Sequence, residues 1–448
     1  MRAFQHLAAF SILLACLPAS TRTTAAQEPG QQSPQAASST QDVLQLDDVL
    51  KEALEKNPEA QSALHTIKSL QRRVPQAQAL PDPMVGVGWA GNLAPFSTMS
   101  GDTSSYRGIT VSQQFPTFGK LKLQGGMARK DVEAAQTDYE AIRRRITAEV
   151  KAAYYDYFYY DKAIQATNQN KELLEKLSKI AEAQYRVGKA MQQDVLRSQV
   201  EISMLTEKLT ELEQQKATSQ ARINAYLQQS PETPLPPAGE VELREIHYSL
   251  DELYGLALSN DTAANRAQKL IERSQLSVTL AQKQYRPDIG ISYMFQQRTA
   301  QPDMNGATIS VNIPIFYRSK QRQAVAEATE DVISAEKMRE NRLNEVRFEL
   351  KQQYLAAKAA DNLVSLYSRG IVPQSSLALE SSMAGYQVGK VDFLSVLANF
   401  TSVLNYETDY YRQLTDYLTA IVRMESLTGT DITEPRPDDS TTPAKKGM

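Results

Sequence analysis

The sequence predicts a mainly α chain with a small β part, built as a duplicated strand–strand–helical-hairpin unit. Three observations carry this. Between Pro116 and Pro231 there is no proline, and after Gly126 the only glycine before Pro231 is Gly188. That glycine lies in Tyr-Arg-Val-Gly-Lys (185–189), and the motif returns as Tyr-Gln-Val-Gly-Lys (386–390) inside a second long, almost unbroken helical stretch. Finally, four short segments alternate apolar with small or polar residues, the period of a strand.

The helical arms come first. A helix from about Met127 to Val187 would reach roughly 90 Å at about 1.5 Å per residue, far beyond an ordinary globular helix. Val132, Ala135, Tyr139, Ile142, Ile146 and Val150 descend at steps of three and four. Ile202, Leu205, Leu209 and Leu212 return in the same way. Such a seam needs a neighbouring helix and fits a coiled coil, while Gln, Glu, Lys and Arg fill the opposite faces. Tyr154, Tyr155, Tyr157, Tyr159 and Tyr160 point around the helix and read as a packed belt, with a ligand-binding aromatic box as the alternative.

The duplication spans the chain. Leu46-Asp-Asp-Val-Leu-Lys-Glu-Ala-Leu54 resembles Leu250-Asp-Glu-Leu-Tyr-Gly-Leu-Ala-Leu258. Pro81-Asp82 matches Pro287-Asp288, Phe115-Pro116 matches Ile313-Pro314, and Gly188 matches Gly389. The predicted divisions are a first repeat over 44–232, an inter-repeat linker over 233–247 and a second repeat over 248–431. Each unit reads helix, strand, strand, long helix, turn, long helix. Residues 27–43 and 432–448, rich in Gln, Ser, Pro, Thr and Asp, read as a disordered linker and tail.

Each strand has two unlike faces. Val85, Val87 and Trp89 oppose glycines; Ile109 and Val111 oppose Gly108, Thr110 and Ser112. Ile289, Ile291, Tyr293 and Phe295 oppose Gly290 and Ser292; Ile309, Val311 and Ile313 oppose Ser310 and Asn312. One reading is a soluble sheet packed on the helices. The other is a membrane barrel in which Val87, Trp89, Ile109, Val111, Ile289, Ile291, Ile309 and Val311 face lipid. Four strands cannot close such a barrel, and lipid does not tolerate open sheet edges. The membrane reading therefore requires several copies, and three would supply twelve strands.

Residues 1–26 look like an export signal: Arg2, an apolar core from Leu7 to Leu17, then Thr24-Ala25-Ala26. Cys16 is the only cysteine. Either cleavage follows Ala26, or residues 1–15 are removed and Cys16 is lipidated. Neither route leaves a disulfide within the chain. The net charge of −3 gives no basic surface for nucleic acid. His6, His65 and His247 are scattered, and no metal, phosphate-loop or nucleophile motif is present, so neither an enzyme nor a cofactor is implied.

The duplicated strand–strand–hairpin unit, the two Tyr-x-Val-Gly turns, Gln114-Phe-Pro-Thr-Phe-Gly-Lys120 and Gly370-Ile-Val-Pro-Gln374 together resemble the TolC-type outer-membrane efflux proteins over about residues 42–430. The last two motifs are most similar to the heavy-metal efflux branch, for cobalt-zinc-cadmium or copper-silver. The resemblance implies a homotrimer with a twelve-stranded barrel in outer-membrane lipid and a long helical tunnel in the periplasm. It also implies a passive exit duct for metal cations or drugs, fed by an inner-membrane pump through a periplasmic adaptor. The docking tips would be Arg186, Val187, Gly188 and Lys189 with Gln387, Val388, Gly389 and Lys390. In the family, carboxylates beyond the second turn ring the closed entrance. Here the usual positions hold Ser395 and Ala398, so Asp392 with Ser395 and Asn399 becomes the expected gate, unless Asp392 merely caps a helix. A pore-less periplasmic coiled-coil adaptor or scaffold is the alternative function.

Overall fold

The computed structural model describes residues 43–91, 97–99, 102–299 and 301–434. The export segment with Cys16, nearly all of the 27–43 segment and the tail beyond 434 lie outside the described residues. In chain order the elements are α1 (Leu46–Lys56), α2 (Pro58–Gln78), β1 (Met84–Ala90), β2 (Tyr106–Phe115), α3 (Lys120–Arg186) and α4 (Gln192–Leu227). The second repeat gives α5 (Leu250–Asn260), α6 (Thr262–Lys283), β3 (Asp288–Arg298), β4 (Met304–Asn312) and α7 (Gln321–Leu366). A π-helical turn (Tyr367–Ile371) then leads into α8 (Val372–Gln387) and α9 (Phe393–Thr428).

The single helix expected before each strand pair is two helices. Asn57 ends α1 in extended backbone and caps α2, its side chain accepting from the amides of Glu59 at 2.9 Å and Ala60 at 3.4 Å, with Pro58 starting the helix. In the second repeat Asp261 does the same for Ala264 at 2.7 Å, and Arg342 neutralises its buried carboxylate at 2.9 Å.

Helix α3 has 67 residues, about 100 Å of helix, and begins seven residues before the expected start. Gly125 and Gly126, just ahead of the expected arm, lie inside it. A side chain at Gly125 would come within 2.2 Å of Gln78, so glycine allows α2 to approach. The predicted seam is real: Val132, Ile146, Val150, Leu205, Leu209 and Leu212 are buried. Each such side chain contributes about 1.5–3 kcal/mol by leaving water.

Among the described residues, three buried clusters run along the helices. In the widest, Tyr154, Tyr155 and Phe158 of α3 pack with Leu253, Leu350, Leu414, Tyr417 and Ile421. The tyrosine hydroxyls find backbone carbonyls: Tyr154 donates to Leu44 at 2.9 Å, Tyr157 to Leu235 at 3.2 Å and Tyr417 to Arg244 at 2.6 Å. Segment 233–247 is thus packed against the helices, with Ala238 paired to Leu44 in a parallel bridge. Ile432, assigned from sequence to the tail, is fully buried in this cluster, and its carbonyl accepts from the His247 amide at 3.2 Å. No described helix is long and apolar enough to cross a membrane.

The four strands form one antiparallel sheet in the order β1-β2-β3-β4. The register sets Val87 opposite Ile109 and Ile109 opposite Phe295; it sets Val85 opposite Val111 and Ile289 opposite Val311. Apolar residues therefore share one face across all four strands, and Ser112, Ser292 and Thr308 share the other.

Candidate functional site

Both hairpin tips are built alike. Gly188 and Gly389 each sit at φ 75°, the left-handed conformation that glycine adopts without strain. Gly188 N–H donates to Tyr185 at 2.9 Å and Lys189 N–H to Gln184 at 2.8 Å; Gly389 donates to Tyr386 at 3.0 Å and Lys390 to Gly385 at 2.9 Å. These paired bonds satisfy the last carbonyls of α3 and α8 and stop both helices. The turn holds Val187 and Val388 outward, each 68% exposed. Lys189, Gln387 and Lys390 are also exposed, and Arg186 pairs with Glu182 at 2.5 Å. The two tips are neighbours, since the Gln184 side-chain amide reaches the Tyr386 carbonyl at 3.5 Å.

Asp392 is the N-cap of α9. Its carboxylate accepts from the Ser395 amide at 2.9 Å and the Ser395 hydroxyl at 2.8 Å, which holds its pKa below the ordinary aspartate range. The structure thus brings Asp392 and Ser395 together as a cap, with Asn399 half-buried a turn further on.

Sequence reasoning missed a charged band halfway along the hairpins. Asp156, Arg222, Glu349, Asp416 and Arg423 line a cavity of about 600 Å³ with Arg145. Arg412 lies 3.9 Å from Asp156 and 4.6 Å from the centre of the Tyr159 ring. Burial raises the Asp156 and Asp416 carboxyls, and the nearby Arg412 opposes that rise in both. The α9 members Asp409, Arg412, Asp416 and Arg423 recur at steps of three, four and seven, a pattern visible only once the helix face is known.

At the sheet end, the eight apolar strand residues singled out from sequence do line one exposed face; Ile309 is 72% exposed and Val87 60%. Where strands meet helices, the Gln114–Lys120 motif acquires a mechanical role. Thr117 N–H and Lys120 Nζ both donate to Asp288 at 2.9 Å, Lys120 also reaches the Arg286 carbonyl at 2.9 Å, and the Thr117 hydroxyl bonds the Pro287 carbonyl. One carboxylate of the second repeat therefore seals the strand–helix junction of the first.

Residues 49–228 and 253–430 match the family model for outer membrane efflux proteins. The chain belongs to that family. Its fold is that of solved channels of low identity. VceC from Vibrio cholerae superposes with a TM-score of 0.72 at 17% identity, covering 86% of this chain and 96% of that one. CmeC of Campylobacter jejuni gives 0.73 at 15% identity, covering 88% of each chain. CusC gives 0.73 at 16% identity over 90% of this chain and 98% of that one. Among curated proteins none matches. In this outer membrane efflux protein, the family match covers both duplicated units and leaves 229–252 between them.

Proposed function

We propose that this chain is the outer-membrane channel of a tripartite efflux system: a passive exit duct, closed as a homotrimer, for cargo delivered by an inner-membrane pump through a periplasmic adaptor. The observation that carries this reading is the sheet. It exposes an apolar face across four strands, and it ends in the two unpaired edges of β1 and β4. Such a face suits lipid, and such edges require further copies. Three copies give twelve strands, with twelve long helical arms continuing below them. The pore-less adaptor reading leaves the exposed face without a function.

In this reading Val187 and Val388 at the tips meet the adaptor, and Asp392, Ser395 and Asn399 stand near the periplasmic entrance. Metal cations are the cargo favoured by the Gln114–Lys120 and Gly370–Gln374 motifs, with drugs the alternative. The test is the oligomer and the pore together. The full-length protein is expected in an outer-membrane fraction as heat-resistant trimers that conduct in planar bilayers. Monomers in the soluble periplasmic fraction would refute it. Within the trimer, Ile291→Arg is expected to reduce assembly, at a cost of about 2–4 kcal/mol for a lipid-facing charge, whereas Ser292→Arg leaves assembly and changes conductance. Val187→Asp with Val388→Asp is expected to abolish efflux in cells while trimers still form.

A further inference from the structure

The two repeats correspond in register as well as in sequence. Aligning Asp82 with Asp288 and Pro116 with Pro314 maps the observed pair Met84–Ser112 onto Gly290–Ser310, which is also an observed pair. The junction between repeats, β2 against β3, is the one place where the unit's own edges meet, and it is sealed by Asp288 with Lys120. The same alignment maps Asp288 back to Asp82 and Lys120 forward to Arg318. An acid and a base are thus kept at the positions of the seal. Both are exposed, and they lie at opposite edges of one protomer's sheet, where they do not meet.

We infer that Asp82 of one copy pairs with Arg318 of the next, and that β4 meets β1 of that next copy in the register of the β2–β3 junction. This rests on the homotrimer reading above. Transferring the observed pairs Gln113–Ile291, Val111–Tyr293 and Ile109–Phe295 sets Val311 opposite Val85, Ile309 opposite Val87 and Ala307 opposite Trp89. Every pair falls on the apolar face. A slip of one residue would set that face against glycines, so the register that charge selects is also the one that hydrophobicity selects. The inter-copy seal differs in two ways. Ile315 replaces Thr117, which removes the hydroxyl bond to the partner strand. Tyr317 replaces Gly119, and the Arg318 guanidinium lies 5.9 Å from the Tyr317 ring centre. The seal between copies therefore depends more on charge, and salt weakens it more, than the seal within a copy.

Cysteine pairs in the full-length protein test the register. Opposed residues of antiparallel strands bring Cα atoms about 4.5–5.5 Å apart, within disulfide reach. Under a membrane-permeable oxidant, Val85→Cys with Val311→Cys is expected to yield covalent dimers and trimers. Trp89→Cys with Val311→Cys, and each single variant, should not. Asp82→Arg and Arg318→Asp are each expected to lower the trimer fraction several-fold, and the double exchange to restore it. Native mass spectrometry and conductance are read on the same samples. A conducting trimer that cross-links only through the mismatched pair, or through neither, overturns the register while leaving the channel reading intact. Absence of both trimer and conductance in the parent overturns the two together.

Discussion

The two hairpins of this chain share a turn and differ in their arms. The outward arm of the first is one helix of 67 residues, with Tyr157, Phe158, Leu174 and Leu177 fully buried along it. The outward arm of the second is interrupted: α7 ends at Leu366, five residues follow in a π turn, and α8 begins again before Pro373. Proline lacks the amide that would bond back into the preceding turn, and its ring crowds that turn's carbonyl. The wider π turn absorbs the misfit. Cavities of about 330 and 540 Å³ run between α3 and the π turn with α8, and Glu407 on α9 lines both. The tip thus recurs while the outward arms differ: the first is a continuous strut, and the second is interrupted at the π turn, where a hinge is expected.

The largest expected contrast is in core truncation. Leu174 is fully buried in the strut, whereas Leu379 lines the 540 Å³ cavity. Large-to-small changes of this kind cost about 2–5 kcal/mol, least where neighbours can collapse into the space left. Leu174→Ala is expected near the top of that range and Leu379→Ala near the bottom, measured by denaturant unfolding of the assembled protein. Equal losses would erase the distinction between the arms.

The strut was legible in the sequence because its cause is local: no proline, one glycine and an apolar seam at coiled-coil spacing. The strand faces were legible for the same reason, as were the two tips, where Gly188 and Gly389 recur in the same Tyr-x-Val-Gly-Lys motif and reverse the chain at positive φ. The hinge was not legible. Gly370 and Pro373 signal a break, but whether the chain turns, kinks or widens there depends on α9 behind it. The Asp288 seal was equally hidden, since it joins residues about 170 positions apart. Asp392 shows the converse limit. Its sequence position suited both a gate and a cap, and only its bonds to Ser395 show that it caps α9.

A smaller effect tests the hinge through pH. Burial raises the Glu407 carboxyl above its ordinary value near 4.5, opposed by the Asn170 amide at 3.3 Å. The folded state therefore holds this proton more tightly than the unfolded chain does. Stability conferred by the protonated form is full below about pH 4.5 and is lost as pH rises through the higher folded-state value. Glu407→Gln is expected to flatten that part of the pH profile of the assembled protein. A profile that keeps its slope would assign the dependence to another group.

The smallest effect is at the return helices. Asp392 caps α9 with two bonds, whereas the N-cap of α4 is Met191, which has no comparable oxygen. Asp392→Ala is expected to cost about 1 kcal/mol and Asp392→Asn much less, since asparagine retains a capping oxygen. If Asp392→Asn instead alters cation selectivity of the conducting protein while stability is unchanged, the carboxylate acts in the pore as well as at the cap.

Hydrogen exchange in the assembled, full-length protein tests the contrast between the arms most directly. The amides of Tyr367–Ile371, where Ser368 lines the 330 Å³ cavity, are to be compared with those of Lys162–Ala166 on α3, where Lys162, Gln165 and Ala166 line it from the other side. The π-turn amides are expected to exchange faster by orders of magnitude, through local opening that leaves α3 protected. Equal protection on the two sides of the cavity would contradict it, and the second hairpin would then be as rigid a strut as the first.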